Sequence, residues 1–419
     1  MKSGRIIGLL AALILSGCAT QQVPPASLSA ATAAANLTAR SLQDPELHRF
    51  LAENLGHEPT AWDFETLSWV AFYYHPSLNV ARAQWATARA VQHSAGLPAN
   101  PTISLVPGYN TTREPGISPW FPAVNFDFLI QSARKRGHLQ AIAQADAEAA
   151  RLAIYSAAWQ VRSDLRRALT DESVAIRREA LLKAQAQVQQ RLLILLQQRL
   201  SAGAIGAAEV SPARTATYRA QSAAADAASQ AITARARIAA ALGMPLSALD
   251  GVTLVAPVAP ISLPDDELVA ARQRSLQSRS DVLAALAKYA SAQAALELEV
   301  AKQKPDLHLG PGYQWDQGAN KWSLALTFEL PIFHRNEAAI AEFVARRAES
   351  AAQFGAVQAQ AVANVDAAIA AQRAAAAQLD YVHRLRSESE KVSGLASRRL
   401  ELGAADQVEV QSAQLDLAT

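Results

Sequence analysis

The chain is written twice. Ser77–Tyr109, SLNVARAQWATARAVQHSAGLPANPTISLVPGY, aligns without a gap with Asp281–Tyr313, DVLAALAKYASAQAALELEVAKQKPDLHLGPGY. Both segments end in Pro-Gly-Tyr, and Trp85 meets Tyr289 as Pro101 meets Pro305. Further on, VNFDFLI (Val124–Ile130) matches LTFELPI (Leu326–Ile332), and RLSAGAIGAAEVSPAR from Arg199 matches RLELGAADQVEVQSAQ from Arg399. The spacings are 204 (77 to 281), 202 (124 to 326) and 200 (199 to 399), in one order. Such anchors require two long homologous halves; a short solenoid period is excluded.

Each half reads as helix, strand pair, very long helix, turn and returning helix. No proline stands between Ile130 and Pro212, and none follows Pro331. Val161, Leu165, Leu169 and Ile176, then Leu181, Val188, Leu192 and Leu195, recur at threes, fours and sevens, as in a packed coiled helix. Aromatics are only 6% of the chain although 50% is hydrophobic, so alanine carries much of the apolar count and allows close helix approach. Roughly 65 residues at about 1.5 Å each predict a rod of about 100 Å. In the turns, Gly203 and Gly403 fit the end of a long helix, and Arg199 and Arg399 fit its last turn, where a cation complements the helix dipole.

The strand pairs, expected near 101–109 with 121–130 and 305–314 with 321–331, argue against a plain coiled-coil rod. Val124, Phe126 and Phe128, and Trp322, Leu324, Leu326 and Phe328, alternate with small or polar residues. One face suits lipid, the other water, and about 9–11 residues suffice for a tilted strand to cross a bilayer. Tyr109, Trp120 and Phe121, with Tyr313, Trp315 and Trp322, sit in or beside the connections, as in an aromatic girdle. Four strands cannot close in lipid without leaving backbone groups unpaired, so subunits must share a barrel. A dimer would give eight strands and a trimer twelve, and the pattern alone does not choose.

The N-terminus has a signal-peptide layout: Lys2 and Arg5, a short apolar run from Ile6 to Leu15, and then Leu-Ser-Gly-Cys ending at Cys18. Cys18 is the only cysteine of the chain, and this box resembles a bacterial lipoprotein signal in which its thiol is lipidated. Residues 1–17 are thus expected to be signal peptide and 18–60 a lipidated tether and N-terminal segment, with Ala19–Ala35 irregular. The first repeat follows at 61–243, a Pro-rich linker at 244–264 and the second repeat at 265–419. Asp265-Asp266-Glu267 reads as a helix-start cap. A net charge of +2, with no basic block interleaved with aromatics, gives no argument for nucleic acid. The eight histidines form no close ligand pair, and no phosphate loop, zinc motif or nucleophile elbow appears, so no enzyme, metal site or cofactor is expected.

The lipoprotein box, the duplicated helix–strand–strand–helix layout, the R-L-x-x-G phrase and FDFLIQSARKRGHLQAIAQADAEAA after the second strand resemble the outer-membrane efflux protein family. These are the TolC-like outer-membrane factors, and the last segment is similar to heavy-metal efflux members. The resemblance implies a mainly α fold with a small transmembrane β part. A homotrimer would close a 12-stranded barrel in outer-membrane lipid and continue as a helical tunnel through the periplasm. It further implies a lipid-anchored passive conduit for metal ions or drugs, docked to a periplasmic adaptor and an inner-membrane pump. The tip turns, about 201–208 and 402–406, would then meet the adaptor through Arg199, Leu200, Gly203, Arg399, Leu400 and Gly403. Glu409 aligns with the family's acidic pore constriction, with Asp406 a second candidate, better suited to an N-cap. Two features depart from the family: Leu129 stands where the second copy has Pro331, and the last helix is expected to be shorter than its twin. The alternative class is a non-transporting coiled-coil lipoprotein acting as an envelope spacer or scaffold.

Overall fold

The computed structural model describes residues 27–112, 115–257 and 264–418. The signal segment and Cys18 lie outside them. Helices α1 (Ala30–Thr38), α2 (Pro45–Leu55), α3 (Phe64–Tyr74) and α4 (Pro76–Ala95) lead to strands β1 (Thr102–Val106) and β2 (Ala123–Ile130). Then come the long α5 (Lys135–Ser201) and its return α6 (Ala207–Leu242). The second copy runs α7 (Asp265–Ser278), α8 (Ser280–Ala301), β3 (Leu307–Asp316), β4 (Ala319–Phe328), α9 (Glu337–Glu401) and α10 (Gln407–Ala418).

The strands form one antiparallel sheet in the order β1-β2-β3-β4, and the helices below repeat that order, α4 on α5, α5 on α8, α8 on α9. α5 has 67 residues and α9 has 65, lengths that the absence of proline permits. Each starts after a residue in the left-handed region, Arg134 (φ 57°) and Asn336 (φ 63°), which turns the chain from strand to helix. The two turns differ, as the Leu129–Pro331 contrast suggests. β2 continues through Leu129 to Ile130, whereas β4 stops at Phe328, ahead of Pro331, which has no N–H to donate. At the far end of the sheet, Gln317 (φ 49°) and Gly318 (φ 84°) make a two-residue hairpin with both central residues at positive φ. This pairs β3 and β4 out to Asp316 and Ala319, beyond the expected 314 and 321. β1 is shorter than expected, because only the isolated Tyr109–Trp120 bridge continues its pairing.

The main core lies partway down the rod. Val161, Leu165 and Leu169 of α5 pack against Leu67, Val70 and Ala71 of α3 and Ile238 and Leu242 of α6. Leu42, Leu47 and Leu51 also enter this core, so the N-terminal segment is part of the first copy's packing. Three expectations are corrected here. Residues from Ala30 form α1, which buries no residue, where an irregular tether was expected. Met244 and Leu249 of the expected linker are buried in the core, and Val255 N–H donates to the Trp62 carbonyl. Pro264, not an acidic residue, occupies the N-cap of α7, with Glu267 in its first turn, where negative charge still suits the dipole. Along α5, Ile176 and Leu181 of the predicted stripe are exposed.

Candidate functional site

Three places on this rod carry chemistry: the sheet, the neck where strands become helices, and the tip where long helices return. The pairing register settles the sheet's faces, because directly paired residues point to the same side. Ile103 pairs with Phe126, Leu105 with Val124, Phe128 with Leu309, and Ile130 with Leu307. Across β4, Leu307 pairs with Phe328, Leu309 with Leu326, Pro311 with Leu324 and Tyr313 with Trp322. Most of the large apolar residues therefore share one face, with Val124, Phe126, Phe128, Trp322, Leu324, Leu326 and Phe328 on it, while Val106 and Leu129 fall on the other. Trp322 is 80% exposed and packs beside Tyr313 with ring centroids 4.9 Å apart. The opposite face holds Ser104, Asn125, Asp127, His308, Gln314, Ser323 and Thr327. There His308 Nδ1 lies 3.0 Å from Asp127 Oδ2. A Cβ at Gly312 on this face would stand 2.5 Å from Asn125 Oδ1 and 2.7 Å from Ser323 Oγ, so these side-chain ends would have to shift.

At the neck the second copy is bolted to the first. The buried Lys135 Nζ donates to the Lys304 carbonyl at 2.7 Å and to Asp306 Oδ1 at 2.8 Å, and Ser132 N–H donates to the same Oδ1. Asn336 Nδ2 donates to the Glu299 carbonyl and to Glu299 Oε2, while Lys302 donates to Glu299 Oε1 at 2.6 Å. Burial works against the charge on Glu299, but Lys302 and Asn336 hold its carboxyl below the usual range.

The tips explain the repeated phrase. Gly203 (φ 73°) and Gly403 (φ 69°) follow the last residues of α5 and α9 in the left-handed conformation. In the first, Gly203 N–H donates to the Leu200 carbonyl and Ala204 N–H to the Arg199 carbonyl. Gly403 and Ala404 repeat this on Leu400 and Arg399. These paired bonds are a Schellman cap, the reason the phrase needs glycine at its fifth place. Leu200 and Leu400 are half-buried, each packed in its own hairpin's apolar seam, with Val210 and Ala213 or with Val410 and Ala413. Of the large apolar residues at the tips, Leu402 is the most exposed, at 82%, although the residue pattern alone had not singled it out.

The return helices are capped differently. Glu209 reaches back to the Gly206 N–H at 3.2 Å. In the second copy Asp406 Oδ1 accepts from Val408 N–H and Glu409 N–H, the N-cap role expected of it. That frees Glu409, whose Oε1 lies 2.5 Å from Arg399 Nη1. Asp406 keeps its other oxygen for Arg199 of the first copy, at 2.7 Å, and this guanidinium together with the cap bonds holds its carboxyl below the usual range. Arg191 Nε adds a longer bond to Gln411, at 3.4 Å. The Arg199–Asp406 bond between hairpins was missed by the sequence reading, because nothing in the repeat distinguishes Arg199 from Arg399.

Among the described residues no helix is long and apolar enough to cross a membrane, and no group of three or more His, Cys, Asp or Glu is placed to hold a metal. The model of the family described as outer membrane efflux protein matches residues 71–244 and 271–419. Among solved structures, the outer membrane protein VceC from Vibrio cholerae is 19% identical, covering 85% of this chain and 90% of its own, with a TM-score of 0.69. CusC is 17% identical over 86% of this chain and 87% of its own, also with a TM-score of 0.69. The outer-membrane channel OprN is 17% identical over 96% of this chain and 92% of its own, at 0.66. No curated protein is a significant match.

Proposed function

Because the chain belongs to the outer membrane efflux protein family, we propose that it is the channel subunit of a tripartite efflux system. Three copies would close one barrel and one helical tunnel. The observation that carries this reading is the sheet: 4 strands with one continuous apolar face and two open edges, β1 and β4. Open edges in lipid leave unpaired N–H and C=O groups, so each β1 must pair with a neighbour's β4. Three such sheets give twelve strands, with Asp127, His308 and Asn125 turned toward a wet lumen.

The transport step is passive and involves no bond chemistry in this chain. An inner-membrane pump supplies energy, a periplasmic adaptor joins pump to channel, and the polar sheet face gives small solutes, metal ions or drugs, a hydrated exit. The tip is the part that must move. Adaptor contact falls to Arg199, Leu200, Gly203, Arg399, Leu400 and Gly403, and to the protruding Leu402. Glu409 and Asp406 would constrict the entrance, where three acidic sets near an axis attract cations. Their engagement by Arg399 and Arg199 makes that ring weaker while the tip is shut. Lipid on Cys18 would hold the trimer to the outer membrane from its periplasmic side.

The test is reconstitution. The purified chain should run as a trimer in mild detergent and give discrete ion conductance in planar bilayers. A monomeric rod without conductance would sink the channel reading and favour the scaffold. Deleting the gene and growing the strain on graded metals and drugs then sorts the substrates.

A further inference from the structure

Among the described residues, two cations in the belt where the sheet meets the helices have no ion-pair partner. Lys135 is matched by Asp306 and Lys302 by Glu299. Among the described residues Arg134 and Lys304 form no ion pair, yet both line a single groove of about 600 Å³ on the α5–α8 seam. Its apolar lining includes Leu296, Val300 and Ala301. The carboxylate that lines it, Glu297, is already engaged, 3.3 Å from His138 and accepting from Gln293 at 2.8 Å.

The groove's height matters. Ile130, Leu307 and Phe328 form the last paired row of the apolar face. Lys304 stands three residues before Leu307 and Arg134 four after Ile130. At about 3.3 Å per residue both cations lie within about 10–13 Å of that row. The polar layer of a bilayer extends about 5–8 Å beyond the hydrocarbon on each side, so long side chains here reach phosphate level. In the second copy's strand-to-helix turn Leu330, Ile332 and Phe333 are exposed, Phe333 at 93%, and Arg335 follows. An apolar anchor followed by a cation is the sequence of environments met on leaving a membrane.

We propose that this groove seats an anionic phospholipid of the leaflet nearest the long helices, its phosphate held between Arg134 and Lys304. The proposal rests on the reading of the sheet as membrane-spanning. It also gives the neck, the rigid joint between barrel and tunnel, a lipid-dependent fit.

The full-length protein is reconstituted into nanodiscs of phosphatidylcholine containing a minor share of phosphatidylglycerol, and the lipids retained after mild delipidation are counted by mass spectrometry. Wild type should enrich phosphatidylglycerol by at least roughly fivefold, about what one Lys or Arg contributes at an anionic surface. R134Q/K304Q should return the ratio to that of the bulk mixture, while R134K/K304R, which keeps the charges, should retain the enrichment. Equal retention of both lipids by wild type, or undiminished enrichment in R134Q/K304Q, would overturn the site. Inorganic phosphate, compared with chloride at matched ionic strength, should leave the enrichment intact, and its loss would mark a free-anion site instead. Failure to enter nanodiscs of either lipid would overturn the membrane reading beneath the proposal, whereas entry without preference overturns the lipid site alone.

Discussion

Asp406 is predicted to latch the second tip hairpin to the first, and its two oxygens allow the latch to be separated from the cap. Oδ1 caps α10 and Oδ2 accepts from Arg199. Asp406→Ala removes both roles. Losing the cap costs about 1 kcal/mol. The ion pair, with side chains 38% and 54% exposed, is discounted to roughly 0.2–1 kcal/mol for screening. Together that is about 1.5 kcal/mol, or roughly tenfold more frequent opening of the α10 start. Arg199→Ala removes only the ion pair, for about twofold. Asp406→Asn keeps a competent cap and loses the charge, so it should match Arg199→Ala.

Hydrogen exchange at the Val408, Glu409 and Val410 amides, fitted as local opening, reads this directly. The double variant R199A/D406N should open no more than either single variant, because both remove one interaction. Additive effects, or an Arg199→Ala change near tenfold, would refute the separation of cap from latch. The pH dependence follows the same oxygen. Asp406 is held below the usual carboxylate range in the folded tip, so its contribution is full above that range and is lost as pH falls through the depressed value. Opening corrected for intrinsic exchange should therefore be flat near neutrality and rise in acid, and it should lose that rise in Asp406→Asn.

Other consequences concern the core, the sheet and the neck. Leu165→Ala, at a side chain with no exposed surface in the main core, should cost about 2–5 kcal/mol and lower the thermal midpoint of the helical region. Gly243→Ala should also destabilise it, since φ is 73° and the new Cβ would stand 3.0 Å from His75 Cα; circular dichroism on heating measures both. Leu326→Arg, on the apolar face, should cost about 2–4 kcal/mol near the bilayer midplane and reduce insertion into vesicles, whereas Thr327→Arg on the polar face should insert normally. Lys135→Ala leaves Asp306 with the Ser132 N–H but no cation, and should loosen the neck so that proteolysis begins near Lys304.

Much of this was legible in the residues because duplication and period are local signals. The long helices, the four strands and their apolar faces follow from proline spacing and alternation. Strand ends were less legible: the extra pairing at Asp316 and Ala319 depends on Gln317 and Gly318 adopting positive φ together. The packing of the N-terminal segment was not legible, because Leu42, Leu47 and Leu51 are too few to show a period until α3 and α6 supply their partners. The link between Arg199 and Asp406 was illegible for another reason. It joins residues 207 apart that belong to different copies, and a repeat compares each residue with its twin, never with its twin's neighbour.

That crossing matters because the two hairpins are not equally well packed. Where the first tip buries Leu193, with Leu196 and Ile205 against it, the second copy has Ser393, Ala396 and Ala405. Each lost leucine or isoleucine side chain withdraws apolar burial worth about 1.5–3 kcal/mol when complete. The second hairpin therefore has less apolar adhesion of its own, and its polar ties, Arg399 to Glu409 within it and Asp406 to Arg199 outside it, hold a larger share of its position. Apolar packing resists displacement by any partner, while exposed ion pairs exchange readily for other charges or for water. Charges presented to Arg199 and Asp406 from outside would thus loosen the second hairpin more readily than the first. The repeated phrase keeps both turns the same shape, while the residues around it hold the two hairpins by different means.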